Sequence, residues 1–375
     1  MQQKAIFLDR DGTINVEKNY LYKIEDFEFL PGVIDGLKKL QDNGFLLVVV
    51  TNQSGIARGY YTEEDLKKLN EWMISTLEQS GIHISAIYYC PHHPEALDEK
   101  YRKKCDCRKP EIGLFLKAAR DFDIDISKSY AIGDKIRDLQ ICSSSMIDNP
   151  AKGYLLYSDS FHEGNIKGIP GGINEAVDEI IEEVKMKDWI LKEIKEKKEL
   201  LTALEEGEYI SAVEKACELM VKSIKNGGKV ITAGNGGSAA DAQHFAGEIV
   251  GRFLMNRDAL PAISLCVDPS VVTCISNDFG YDEVFARQLA GVGNAGDVFI
   301  GISTSGNSEN IIRTIDAAHK KGITVVGFLG KDGGKIKDMC DVALVVPSDS
   351  TPRIQEIHTF TVHLICEEIE KKVFG

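Results

Sequence analysis

Apolar residues in this chain gather in short unbroken runs, each followed by a stretch with helical spacing. Residues 6–8 (IFL) form the first run and residues 45–50 (FLLVVV) the second. Between them, Leu30-Pro31-Gly32 opens a helical pattern that continues through Leu40 and closes at Asn43-Gly44. A run without polar alternation is what a parallel strand covered on both faces requires. Residues 66–77 then have the spacing of an amphipathic helix, and residues 86–89 and 130–133 read as strands. The alternation resumes with strands at 229–232 and 297–302, and the C-terminal segment carrying Gln355 and His363 is helical. The pattern predicts an α/β chain with mainly parallel sheets.

With 375 residues, one core is too few and two domains are expected. The join is marked by a turn cluster at 168–172 (GIPGG), where Asn174 is suited to cap the helix that follows. Residues 184–199 are dense in Lys and Glu with apolar positions at helical spacing, which reads as a solvated helix. The boundary is placed near Lys185, giving domains 1–185 and 186–375. The net charge of −14 argues against nucleic acid or an anionic membrane as the main partner, so positive charge must be local. No apolar run is long enough to cross a bilayer, and the N-terminus enters a strand without signal-peptide regions. A cytoplasmic location is expected, in which the nine cysteines serve as metal ligands or buried thiols.

The first run ends in Asp9 and Asp11, followed by Gly12-Thr13. A parallel strand delivers such residues to the carboxyl edge of the sheet, and side chains two apart on an extended segment point the same way. One carboxylate could attack phosphorus while the other moves protons. A strand followed by an acidic turn is the plainer alternative. The second run ends in TNQSGIARG, where a hydroxyl and free backbone N–H groups make a phosphate cradle. Cys90, His92, Cys105 and Cys107 form two tight pairs around a charged loop, a closed tetrahedral set for structural zinc. His93 is the less favoured ligand. Arg108 and Lys109 follow at once, and the strand at 130–133 ends in Asp134-Lys135 with Asp138 beyond.

Four motifs in this order resemble the haloacid dehalogenase-like phosphatases. LDRDGTINV, VVVTNQSGIARG, YYCPHHP and CDCRKP are most similar to the D-glycero-D-manno-heptose 1,7-bisphosphate phosphatases, with the histidinol-phosphate phosphatases as a related alternative. The resemblance implies a three-layer Rossmann-like fold, Asp9 as nucleophile and Asp11 as general acid/base. It also implies magnesium at Asp9, Asp11 and Asp134, and substrate contacts from Thr51, Asn52, Gln53, Ser54, Arg108, Lys109 and Lys135. The segment LQICSSSMIDNPAKG departs from the Ala/Gly-rich pattern of that family.

In the second half a strand runs into AGNGGSAADAQHFAGE, whose Gly234, Gly236 and Gly237 allow a tight turn before a helix starting near Ser238. His244 and Glu248 are four apart and share a face of that helix. A second cradle follows the strand at 297–302, in STSGNSENI. GNGGSAADAQHF, NDFG, GISTSGNS and RIQEIH together resemble the sedoheptulose 7-phosphate isomerases of the sugar-isomerase (SIS) fold, a flavodoxin-like three-layer α/β sandwich. The resemblance implies zinc at His244, Glu248, Gln355 and His363, and Glu248 and His363 as proton carriers. It implies substrate roles for Asn235, Gly236, Gly237, Ser238, Asn277, Asp278, Ser303, Thr304, Ser305, Ser308 and Gln355. It also implies a homo-oligomer, a tetramer built through this half. The chain therefore reads as two enzymes of heptose activation in one polypeptide, acting on small phosphosugars. The competing reading is a histidinol-phosphate-type phosphatase joined to a phosphosugar-binding regulatory module.

Overall fold

The computed structural model describes residues 2–96 and 98–375, which fall into two compact units, Met1–Ile190 and Leu191–Gly375. In the first unit β1 (Ala5–Leu8), β2 (Leu46–Asn52), β3 (Ala86–Cys90), β4 (Tyr130–Gly133) and β5 (Lys152–Leu156) pair in parallel. The short β6 (His162–Glu163) and β7 (Ile166–Ile169) complete a seven-stranded sheet in the order β3-β2-β1-β4-β5-β7-β6, with only the β6–β7 pair antiparallel. Helices α1 (Val33–Asp42), α2 (Glu63–Gln79) and α3 (Gly113–Asp121) connect the strands. The continuous apolar runs follow from this layering. On β1, Ile6 and Leu8 enter one core beside Val49 and Ile132, whereas Ala5 and Phe7 enter the opposite core beside Val48 and Val50. With both faces covered, every position of the strand must be apolar.

Chain order reverses around β1, which pairs with β2 on one side and β4 on the other. At such a switch point the strand ends leave a crevice for a ligand. Asp9 follows β1 directly, and its N–H donates to the Ile132 carbonyl (3.1 Å). The segment that departs from the family pattern, residues 139–153, begins within a 3-10 helix, Ile136–Cys142, whose Leu139, Ile141 and Cys142 are buried.

Helix α4 is a single element of 34 residues, Ile173–Glu206. Asn174 does not cap it. That residue lies inside the first turn with its Oδ1 buried and unpartnered, and Glu175 instead accepts the Gly171 N–H (2.8 Å). A carboxylate three residues into a helix can reach back to its N-terminal amides, which the shorter Asn174 side chain is not placed to do.

The second unit holds a five-stranded, fully parallel sheet in the order β12-β11-β10-β8-β9. Its strands are β8 (Val230–Gly234), β9 (Ala262–Ser264), β10 (Val298–Ser303), β11 (Thr324–Gly330) and β12 (Val342–Val346). Helices α5 (Tyr209–Lys225), α6 (Gly237–Val250) and the C-terminal α11 (Thr351–Phe374) pack on one face. Alongside the other face run α7 (Pro269–Phe279), α8 (Val284–Val292), α9 (Glu309–Lys320) and the short α10 (Gly334–Lys337). Pro352 sits in the first turn of α11, where an N–H has no helical partner to lose. Both units are three-layer α/β folds, as the alternation of runs predicts. Among the described residues, no helix is long and apolar enough to cross a membrane.

Candidate active sites and a candidate metal centre

The crevice at the end of β1 is a polar cleft of about 310 Å³ lined by Asp9, Asp11, Thr51, Gln53, Lys109 and Asp138, among others. Lys109 is 2% exposed, yet its ammonium is fully engaged. Nζ lies 2.7 Å from Asp9 Oδ1 and 2.8 Å from Asp138 Oδ1, and it donates to the Val50 carbonyl (2.7 Å). Asn52 places this lysine. Its Nδ2 donates to the Lys109 carbonyl (3.0 Å), and its Oδ1 accepts the Lys109 N–H (3.1 Å). Asn52, a substrate contact expected from the sequence, also lines the cleft.

Asp9 and Asp11 both line the cleft, in different electrostatic surroundings. Burial raises the pKa of Asp9, and the charges of Asp138 and Asp11 add to that while Lys109 opposes it. Burial would also raise Asp11, but the Arg10 charge and hydrogen bonds from Arg10, Asn15 and Gln53 together hold its pKa below the usual range. Arg10 is fully buried and donates to Asp11 through Nε (3.2 Å) and Nη2 (2.9 and 3.0 Å), to Asn70 Oδ1 and to the Leu21 carbonyl. Gln53 is a hub. Its Nε2 donates to Asp11 (2.8 Å) and Thr51 Oγ1 (3.0 Å), and its Oε1 accepts from Tyr61 (2.6 Å). Arg10, Asn70 and Tyr61 were not read as site residues, since the sequence shows no partner for them.

Three carboxylates converge beside this network. Oxygens of Asp9, Asp134 and Asp138 all lie within 4.8 Å of one another, and Asp134 Oδ1 is buried without a hydrogen-bond partner. Burial raises the Asp134 pKa, with Lys135 opposing at 3.1 Å. A small hard cation suits such an oxygen set. Of the magnesium residues expected from the sequence, Asp9 and Asp134 are joined by Asp138, while the Asp11 side chain is turned onto Arg10. Gly12 has φ +87°, and a Cβ there would stand 2.5 Å from Asp134 Oδ2, so only glycine leaves this acid its position.

The cysteine and histidine ligand atoms of Cys90, His92, Cys105 and Cys107 also gather within 4.8 Å. Cys107 Sγ is 3.2 Å from Cys90 Sγ, 3.0 Å from Cys105 Sγ and 3.3 Å from His92 Nδ1. Tetrahedral zinc with bonds of about 2.0–2.3 Å needs ligand separations of roughly 3.3–3.8 Å, close to these. Arg108 follows Cys107 and donates to the His92 carbonyl (3.0 Å), which ties its guanidinium to the cluster.

In the second unit, the turn after β8 brings α6 close to the start of α11. Gly236 has φ +56°, and a Cβ on Gly237 would lie 2.3 Å from Gln355 Nε2. Farther along, His244 Nε2 faces His363 Nε2 at 2.9 Å, and His244 Nδ1 is 3.6 Å from Glu248 Oε1. The Phe253 ring stacks on His363 with centroids 5.4 Å apart. The structure thus joins His244, Glu248 and His363, and holds Gln355 against the turn at Gly237. Two half-buried imidazoles and a carboxylate are residue types that zinc accepts, but Glu248 and His363 stand at opposite nitrogens of the His244 ring, and among the described residues the three ligand atoms do not close into one cluster.

After β10, Ser303 Oγ is 2.9 Å from Ser308 Oγ and 3.4 Å from Ser305 Oγ, so three hydroxyls of STSGNS lie together. Asn235 exchanges amide hydrogen bonds with the buried Asn310 (2.9 and 3.0 Å) and accepts from Tyr281 (2.9 Å). Asn310 and Tyr281 were missed by the sequence reading. Asn277 and Asp278 are exposed at the end of α7 and bond to each other (2.8 Å).

Residues 194–330 match the family model described as SIS domain, and residues 4–143 match that of polynucleotide kinase 3 phosphatase. The phosphoheptose isomerase of Sulfurimonas denitrificans is 54% identical over 191 residues, 51% of this chain and 98% of that protein. This chain belongs to the phosphoheptose isomerase family. The phosphoheptose isomerase of Clostridium acetobutylicum is 50% identical over 193 residues, covering 51% of this chain and 97% of that protein. Among solved structures, the phosphoheptose isomerase of Neisseria gonorrhoeae is 41% identical (TM-score 0.47; 50% of this chain, 99% of that one). A D,D-heptose 1,7-bisphosphate phosphatase from B. bronchiseptica, complexed with magnesium and phosphate, is 28% identical (TM-score 0.42; 48% and 99%). The isomerase-family match thus spans about half of this chain and leaves a second α/β unit with its own polar cleft.

Proposed function

We propose that the chain is a bifunctional enzyme of heptose phosphate metabolism. The second unit isomerises sedoheptulose 7-phosphate to D-glycero-D-manno-heptose 7-phosphate. The first hydrolyses the 7-phosphate of D-glycero-D-manno-heptose 1,7-bisphosphate. The observation that carries the reading is an isomerase-family half in the same chain as a cleft lined by Asp9, Lys109 and Asp138, with Asp134 close beside the two acids. The order of products requires a kinase to add the 1-phosphate between the two steps. The product then suits nucleotide activation of heptose for surface polysaccharide.

In the first unit, Asp9 attacks phosphorus, the bond to the sugar oxygen breaks, and Asp11 gives that oxygen a proton. Water then attacks the aspartyl-phosphate while Asp11 takes its proton. Asp11 is held as an anion by Arg10 without ligand, and a phosphate arriving beside it pushes its pKa upward, toward the acid form that the first step uses. Lys109 holds Asp9 and sets its positive charge beside the phosphoryl group. Magnesium at Asp9, Asp134 and Asp138 would supply charge neutralisation. The cysteine cluster would take structural zinc and fix Arg108 at the mouth.

In the second unit, Glu248 and His363 move a proton between adjacent carbons of the open-chain sugar, and the hydroxyls of Ser303, Ser305 and Ser308 receive the phosphate. Zinc at His244, Glu248, Gln355 and His363 would supply a Lewis acid for the carbonyl. A homo-oligomer through this unit belongs to the same reading. Phosphate release and isomerisation, both measured on the full chain, test it. Asp9→Asn should abolish only the first activity and His363→Ala only the second. Phosphate release from histidinol phosphate without isomerisation would instead favour a phosphatase joined to a binding module.

A further inference from the structure

Helix α11 ends in a run of charged residues, yet Glu370 within it is 1% exposed. Its carboxylate accepts three consecutive backbone N–H groups: Phe253 on Oε1 (2.9 Å), and Leu254 and Met255 on Oε2 (2.9 and 2.8 Å). Arg257 Nε donates to Oε1 as well (2.8 Å), and its side chain is 3% exposed. The rest of that guanidinium closes the end of α6, with Nη2 donating to the Glu248 carbonyl (3.0 Å) and Nη1 to the Asp258 carbonyl (2.9 Å). One buried ion pair therefore ties together three pieces of chain. These are the turn of α6 that carries Glu248, the 251–258 loop, and α11 two turns beyond His363. The loop carries Phe253, whose ring lies nearly parallel to the His363 imidazole, at 24°.

A clamp serving stability alone has no need to touch the reacting groups, whereas this one reaches His363 through Phe253 and Glu248 through its carbonyl. The geometry points to Arg257 and Glu370 as positioning residues of the isomerase site. Through Phe253 they hold the His363 ring in the plane that directs Nε2 at His244, and through the Glu248 carbonyl they set the facing helix. This rests on the isomerase reading above. Displacing a catalytic group by about 1 Å can cost roughly 10²-fold in rate, so a loosened clamp should act on turnover before it acts on substrate affinity.

The test uses the full chain and two variants. In Glu370→Gln an NH2 replaces one acceptor oxygen and faces N–H donors in either amide orientation, so the clamp opens at constant shape. In Phe253→Leu the ion pair stays and only the ring on His363 is lost, which keeps the test decisive if the first variant fails to fold. Isomerase kcat should fall about 10²-fold in Glu370→Gln and about 10-fold in Phe253→Leu, with KM changed less than about twofold. Zinc measured by competition with a chromophoric chelator should leave the second unit more readily in both variants. Phosphatase turnover serves as the internal control and should not change. Wild-type kcat and zinc retention in Phe253→Leu would overturn the inference while leaving the isomerase reading intact. Absence of isomerisation by the wild-type chain would overturn both.

Discussion

Lys109→Met is the perturbation that separates charge balance from chemistry in the phosphatase cleft. Lys109 Nζ stands between Asp9 and Asp138 at 2.7 and 2.8 Å, with both carboxylates at least nine-tenths buried. Methionine keeps most of the volume and removes a cation that touches both acids at these distances. Breaking a buried pair by removing one partner costs about 3–5 kcal/mol, because the remaining charge stays in a poorly solvated place. For a unit of this size that corresponds to a fall in Tm of roughly 6–20 °C. The cost should shrink as pH is lowered, since Asp9, whose pKa burial raises, no longer needs the cation once protonated. It should also shrink with magnesium, which can take up the same negative charge. The assay is thermal unfolding of the full chain followed through the first unit's transition, with and without magnesium, alongside phosphate release. Release should drop at least about 10²-fold even where magnesium restores stability, because a fixed positive charge beside the transferring group and the contact that holds Asp9 are lost. An unchanged first transition in metal-free buffer would refute the electrostatic account. Normal phosphate release would refute the role of Lys109.

The other expectations concern distinct parts of the molecule. Gly237→Ala puts a Cβ 2.3 Å from Gln355 Nε2, the far end of a flexible side chain, so stability should change by less than about 1 kcal/mol while isomerase activity falls at least about 10-fold; equal activity would show that the position of Gln355 does not matter. Cys107→Ser should lower zinc content by one equivalent and raise the phosphatase KM about 10-fold, because Arg108 is anchored through the His92 carbonyl; an unchanged metal count by mass spectrometry would exclude zinc there. Burial pushes the pKa of His358 down to about 4, against the hydrogen bond to the Leu329 carbonyl. The unfolded chain takes up this proton below about pH 6.5, so stability of the second unit should be full above that pH and fall as pH drops to about 4, by about 3 kcal/mol in all. The Glu370 carboxylate, lowered to about 2 by its three N–H donors and Arg257 outweighing burial, should add a further loss below about pH 4.5. His358→Gln should flatten the upper part of this profile, measured as urea midpoints against pH; an unaltered profile would assign it to other groups.

The sequence by itself determined the layers of this protein. Runs such as IFL and FLLVVV admit only strands buried on both faces, and a strand of that kind ends at the sheet edge where Asp9 has to appear. The paired spacing of Cys90, His92, Cys105 and Cys107 likewise restricts where their ligand atoms can go, since two ligands two residues apart are already neighbours. Local pattern reports whether a side chain is buried, because burial is imposed along the whole element. It does not report which partner a buried charge meets, because that partner comes from packing between distant segments. Asp9 meets Lys109 a hundred residues away, and the tertiary structure alone decided that Asp138 joins Asp9 and Asp134 while Asp11 turns onto Arg10. Arg10 has the composition of a surface residue and lies fully buried. The pairing of Arg257 with Glu370 and of Asn235 with Asn310 has the same origin. A desolvated polar group must find a complement, and only the completed fold brings that complement within hydrogen-bond distance.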